Sequence, residues 1–369
     1  MMMSRIVLAS FCALLILSGT RSAKANNDIP RVDPFMESGG NAYRFPNIRF
    51  EPSLQKVVLS SAKLSKEQSQ IAEKAKAIFD QNQSSLSMLL IDKGKIIVEL
   101  YRAPASSSSP QHSMSMSKSL TAYVIGGLLC EGKIKSLNDK AEIYAPELKG
   151  TVFGEASIKN LLMMSSGAGI ASFSGSSYNS QLADNRAGKV STLDVLRRYG
   201  SRDISAGQDF RYLNNDTQSL AFIIENLGGF RSNFQKHIWS KSGAEATGYW
   251  LIDKDNITIA YAGASFVTRD WGRLALWSMN QRNKKGSCFG NFMREATSSQ
   301  ISNSSKRTGR YFPSYGFQTW VKDDTYWWVG YGGQRLGIDP NKGHIIVVTS
   351  SREDYMDKVY RLFNEWNTQ

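Results

Sequence analysis

Between Gln111 and Leu120 the chain reads QHSMSMSKSL, with Ser113, Ser115, Ser117 and Ser119 gathered around Lys118. A serine hydroxyl attacks an acyl carbon only once a base has taken its proton. Ser115 and Lys118 are three residues apart, so one helical turn puts hydroxyl and amine on the same side. The stretch that follows, TAYVIGGLLCEG, is apolar almost all the way round and stops at Gly132, as a buried helix does. A serine at the head of such a helix lies near the positive end of its dipole, where an oxyanion is favoured. A lysine one turn further in has its pKa lowered by burial and can act as the base. The histidine alternative has little to draw on: the chain holds only His112, His237 and His344, and no G-x-S-x-G elbow. Ser113 and Ser117 read as local structure, with Ser117 available to cap the helix.

Two further stretches belong with the first. GQDFRYLNNDTQSLAFIIENLGG sets Tyr212-Leu213-Asn214 ahead of an apolar helix, and WVGYGGQRLGIDP is a glycine-rich strand near the C-terminus. In order and separation the three match S-x-x-K, Y-x-N and K-T-G, and the chain resembles the serine β-lactamase and penicillin-binding superfamily. Within it, SMSMSKSLTAYVIGGLLCEGKIKSLND, IKNLLMMSSG and VTRDWGRLALW look like the class C-like branch, which includes carboxylesterases and 6-aminohexanoate-oligomer hydrolases. The likeness runs from about Leu86 to Ser350. It implies Ser115 as a nucleophile that forms an acyl-enzyme and Lys118 as the group that helps take its proton. It implies Tyr212 as a proton shuttle, a phenol whose anion a nearby lysine ammonium would stabilise. Asn214 would hold Lys118 or a substrate carbonyl.

The third motif departs from the superfamily pattern. With Gly330 on the glycine of K-T-G, Trp328 stands in the lysine's place and Val329 in the threonine's. Tyr331 then falls where a backbone N–H, with that of Ser115, forms an oxyanion hole, and the glycine lets backbone approach a substrate. An indole cannot attract the carboxylate of a β-lactam, so Trp328 reads as a flat wall for a neutral substrate. Arg335 is the nearest cation that could replace the lysine.

The rest of the chain must position these residues. SKEQSQIAEKAKAIFDQNQ opens with Ser65 and Gln68 at capping-box spacing and carries Ile71, Ala75, Ile78 and Phe79 on one face, a helix. LSMLLID and KIIVELYR flank Lys93-Gly94 as a hairpin. ASFSGSSYNSQLADNRAG reads as a long surface loop. YWWVGYGG, QRLGIDP and HIIVVTSS read as strands, and DYMDKVYRLFNEW as a helix burying Tyr355, Val359, Leu362, Phe363 and Trp366. The expected fold is α+β, β-lactamase/penicillin-binding-protein-like. One antiparallel sheet is built from both ends of the chain and flanked by terminal helices, with a mainly helical subdomain at about 135–260. Loops 170–190 and 303–315 would wall the pocket, with Tyr178, Tyr311 and Trp320 as candidate wall residues.

Residues 1–25 have the layout of a secretory signal: Arg5, an apolar run from Ile6 to Leu17, then Ala23-Lys24-Ala25. Its removal takes Arg5, Arg21 and Lys24 and no acid, lowering the net charge from +13 to +10. The mature domain is then 26–369, periplasmic or secreted, with no stable membrane insertion. Its basic residues are scattered without aromatic interleaving, which argues against nucleic acid. Cys130 and Cys288 are too few for a disulfide framework; Cys130 reads as core, and whether the two pair is open. No His/Cys spacing suggests zinc, and no metal or organic cofactor is expected. The expected function is hydrolysis of a small ester, amide or peptide-like substrate through acyl-Ser115. The alternatives are a β-lactamase or D-alanyl-D-alanine peptidase, and a penicillin-recognising sensor or scaffold without turnover.

Overall fold

The computed structural model describes residues 45–169, 176–305 and 308–368. The leader read at 1–25 and residues 170–175 of the predicted loop lie outside them. Among the described residues twelve strands run in chain order: β1 (Asn47–Phe50), β2 (Ser85–Asp92), β3 (Lys95–Tyr101), β4 (Gln111–His112), β5 (Gly248–Leu251), β6 (Ala264–Phe266), β7 (Ile301–Ser302), β8 (Ser314–Tyr315), β9 (Trp320–Lys322), β10 (Thr325–Gly330), β11 (Gln334–Asp339) and β12 (His344–Ser350). The main sheet has the order β3-β2-β12-β11-β10-β9-β8-β7, antiparallel throughout. The β2–β3 hairpin thus pairs with the late strands, as expected of a sheet built from both ends of the chain.

Strand alternation divides the core. Met88, Leu90, Ile346, Val348 and Trp327 face the terminal helices Lys66–Gln81 and Met356–Thr368, packing against Ile71, Phe79, Val359 and Phe363. The N-terminal one begins with the predicted capping box, Ser65 and Gln68 exchanging hydrogen bonds. Leu89, Ile91, Ile345, Val347, Leu336 and Trp328 face the opposite way, toward Trp271 and Leu274 of the helix Thr268–Asn283 and the helical part beyond. At about 25 cal/mol per Å2 of apolar surface, two such interfaces supply the main driving force for the fold.

The elements between Ser117 and Ser242 are helical. The region read as helical to about 260 also contains β5, which joins β1, β6 and β4 in a second, four-stranded sheet. The predicted surface loop is also corrected. From Ser176 it is a helix ending at Arg186, and Tyr178, Leu182 and Asn185 share its buried face at i, i+4 and i+7 spacing. Serines and asparagines hid that stripe. Cys130, at the end of the helix Ser117–Cys130, is not a lone core thiol: it forms a disulfide with Cys288, 158 residues on, at the start of the helix Cys288–Ala296. Among the described residues no helix is long and apolar enough to cross a membrane.

Candidate active site

Every residue from Gln111 to Leu128 is buried except Ser115, which is partly exposed. The sequence packs four serines together, and the fold lets one of them out. Ser115 is the middle residue of a 3-10 turn, Met114–Met116, that runs directly into the helix Ser117–Cys130. Met114 holds φ +46°, a left-handed conformation that a side chain adopts only when its surroundings insist. Those surroundings are visible: the Ser113 and Ser117 hydroxyls both donate to the Met114 carbonyl, at 3.0 and 2.8 Å. Ser117 therefore does not cap the helix by accepting from its first turn; it fastens the turn that presents Ser115.

Lys118, one helical turn on, is almost wholly buried. Its Nζ donates to Asn214 Oδ1 at 2.7 Å and to the Tyr261 carbonyl at 2.9 Å. It lies over the rings of Tyr212 and Tyr261, 5.4 and 5.3 Å from their centroids. Burial drives the amine toward neutrality, well below the usual lysine range, with the Asp216 carboxyl opposing that shift. Asn214 opens the helix Asn214–Asn226 and is turned to Lys118; like Lys118 it is not among the residues that line the cavity.

Tyr212 opens 37 % of its surface to a cavity of about 600 Å3, which Ser115 also lines. The surrounding protein raises the phenol above its ordinary pKa, and a hydrogen bond with the Ser115 hydroxyl and the charge of Arg335 act against that rise. Burial thus works against the lysine ammonium and tyrosinate expected from the sequence, while the Ser115 hydrogen bond and Arg335 work for the tyrosinate. Trp320 packs on the Tyr212 ring at 5.0 Å, and Phe210 completes this aromatic wall.

Gly330 and Tyr331 line the cavity next to Ser115. A Cβ on Gly330 would meet the Ser113 carbonyl at 2.2 Å, so only glycine allows this end of β10 so close to the Ser115 turn. Trp328 is where the sequence reading fails. Its side chain is fully buried, donates to the Tyr123 hydroxyl at 3.1 Å, and packs edge-on against Tyr123 and Trp271. By the period-two alternation of β10 the cavity receives Val329 instead. Tyr178 is buried too, donating to Asn215, whereas Tyr311 and Trp320 do line the cavity. His112 faces Ser265, its Nδ1 3.2 Å from the hydroxyl.

Two groups that act on Lys118 had little sequence signal. Asp216, four residues after Tyr212, is fully buried and accepts from Ser166 N and Oγ at 3.2 and 2.7 Å; burial pushes its carboxyl up to about 7. An acid among the apolar positions of YLNNDTQSLAF was its one trace. Tyr261 acts through a main-chain carbonyl, which no side-chain pattern encodes. Among the described residues no three His, Cys, Asp or Glu side chains gather so as to hold a metal ion.

With this geometry in place, comparison with known proteins is decisive about family. The Beta-lactamase family model matches residues 69–368. The chain belongs to that family, one of serine hydrolases. The 6-aminohexanoate-dimer hydrolase of Paenarthrobacter ureafaciens is 25 % identical over 300 residues, 73 % of each chain. EstCE1, a hydrolase with promiscuous acyltransferase activity, shares the fold at TM-score 0.64 and 14 % identity over 81 % of this chain and 98 % of its own. A family VIII carboxylesterase does so at TM-score 0.63 and 14 % identity, over 84 % and 99 %.

Proposed function

We propose that this family member is an exported hydrolase that cleaves an ester or amide through an acyl-Ser115 intermediate. The observation that carries the reading is the placing of Ser115: the one partly exposed residue of a buried run, at the cavity, with Tyr212 beside it and Lys118 one turn behind. Neutral Lys118 accepts the Ser115 proton, directly or through Tyr212, as the hydroxyl adds to the acyl carbon. The N–H groups of Ser115 and Tyr331 receive the oxyanion. Tyr212, a protonated phenol in the resting enzyme, hands a proton to the leaving alcohol or amine and takes one from the deacylating water. Asn214 and the Tyr261 carbonyl hold the amine in place.

The aromatic wall of Phe210, Tyr212 and Trp320 suits an apolar acyl part, which supports simple esters and linear amides. Arg335, the cation considered for β-lactam carboxylates, has its guanidinium engaged by Glu353, Tyr360 and two backbone carbonyls. The leader at 1–25 and the Cys130–Cys288 disulfide support an oxidising, extracytoplasmic location. Treatment with a fluorophosphonate followed by intact-mass measurement tests the reading. One adduct, on Ser115, with turnover of a p-nitrophenyl ester is expected; labelling elsewhere without turnover would overturn it.

A further inference from the structure

We infer that Arg335 is a positioning residue for the oxyanion hole, acting on the Tyr331 N–H through the peptide bond that N–H shares with the Gly330 carbonyl. The inference rests on the acyl-Ser115 reading and adds a residue to it. Arg335 follows Gln334 on β11 and pairs across the hairpin with Val329, while Gln334 pairs with Gly330. Its Nη1 donates to the Gly330 carbonyl at 2.6 Å and to the Gln334 carbonyl at 2.9 Å. The Gly330 carbonyl and the Tyr331 N–H belong to one peptide unit, which is trans: the cis bond among the described residues is Ala103–Pro104. In a planar trans peptide the two groups point in opposite directions. A carbonyl held by Arg335 therefore fixes the Tyr331 N–H in the opposite direction, at a point where Gly330 abuts the Ser113 carbonyl and Met114 of the turn that carries Ser115.

The bond does two things. It fixes the peptide plane at a place where the chain has little stiffness of its own, since Gly332 and Gly333 follow with φ +75° and +92°. It also withdraws electron density from the carbonyl, and a polarised amide is a stronger donor. Gln334 fastens the other side of the same turn, its Nε2 donating to the Tyr331 and Gly332 carbonyls and to Ser350. Arg335 is in turn fixed by Tyr360, which accepts from Nε, and by Glu353, 3.3 Å from Nη2. Arg335 lines the cavity, and these four bonds make its guanidinium a brace for the turn.

The test compares an oxo ester with its thiono counterpart, because a thiocarbonyl sulfur accepts hydrogen bonds weakly and gains little from an oxyanion hole. Removing an oxyanion donor outright costs about 10²–10³-fold in kcat, so disorienting one by Arg335→Met should cost about ten- to a hundredfold on the oxo ester. KM should change little, and the thiono ester should lose less, so that the oxo/thiono ratio of kcat/KM falls. Arg335→Lys, which keeps a charge and a donor, should recover part of that ratio; if Arg335→Met does not accumulate folded, a ratio below wild type in Arg335→Lys carries the test. Equal losses on both esters, or no loss, with wild-type enzyme still acylated at Ser115, overturn the role of Arg335 and leave the hydrolase reading standing. Turnover retained by Ser115→Ala overturns both.

Discussion

The two ends of the cavity are built on different terms. Around Ser115 the chain is buried on every side, and each polar group has a fixed partner: Lys118 on Asn214 and Tyr261, Asp216 on Ser166, Ser113 and Ser117 on Met114. At the far end stand Arg310, stacked on Tyr311 at 4.4 Å, and the exposed Asp354 and Asp357, the latter accepting from the Tyr311 hydroxyl. The first end is continuous with the core, so its geometry is held by packing and cannot drift. The second is a surface of exposed side chains, where exchanges cost little stability and change what fits. On the acyl-Ser115 reading, the first carries the chemistry and the second the selection.

The largest effect expected is at the rigid end. Ser115→Ala should abolish acylation by a fluorophosphonate, read by intact mass. Ser113→Ala and Ser117→Ala each remove one bond to the Met114 carbonyl, about 0.5–1.5 kcal/mol, and should keep most of it. A full adduct on the Ser115→Ala protein would mean that another nucleophile serves the cavity.

Lys118→Met comes next. A positioned base is worth about 10²–10⁴-fold, and turnover should fall by that order. The Asn214 and Tyr261 acceptors lose a donor in a buried place, at a cost of about 1–3 kcal/mol, so thermal stability should drop as well. Tyr212→Phe separates the two effects. It keeps the ring against Trp320 but removes the proton relay, and kcat should fall while the melting temperature barely moves. Wild-type turnover by Tyr212→Phe would leave the phenol as packing alone.

The difference between the two ends also governs what could be read from the sequence. The hairpin, the late strands and both terminal helices were legible because apolar periodicity and turn residues encode them directly. Ser115, Tyr212, Gly330 and Tyr331, which the structure gathers at one cavity, could be nominated together with Lys118 because each lies in a short contiguous motif. Trp328 was misread because a motif gives a position along β10 but not which face is turned to the core. Asp216, the Tyr261 carbonyl and the bonds of Arg335 are contacts made across 98, 143 and 5 residues, through main chain or burial. The Ser176–Arg186 helix escaped because polar residues break its stripe.

Neighbouring residues of β10 sharpen that point. Trp328→Ala empties a buried indole site and should cost about 3–5 kcal/mol, read by denaturant unfolding. Val329→Ala, one residue along on the cavity face, should leave stability almost unchanged and alter the relative kcat/KM of short and long acyl esters. If Trp328→Ala were the variant that reorders substrates without loss of stability, the assignment of faces would be reversed.

The smallest effect concerns Asp216, which touches the chemistry only through charge. Its folded pKa, about 7, lies above the value of a free carboxyl, so the protonated form is favoured by folding. The stability this contributes is present below about pH 4 and is lost as pH rises through about 7. Asp216→Asn cannot ionise, so the stability of wild type relative to the variant should fall across that window. The same anion supports the protonated form of Lys118. Removing it lowers the lysine pKa further, and neutral amine becomes available at lower pH. The acid limb of kcat/KM for an uncharged ester should therefore move to lower pH in Asp216→Asn, with the plateau close to wild type. A shift to higher pH would show that the carboxylate keeps Lys118 neutral by some other route, and would place Asp216 with the residues that move protons.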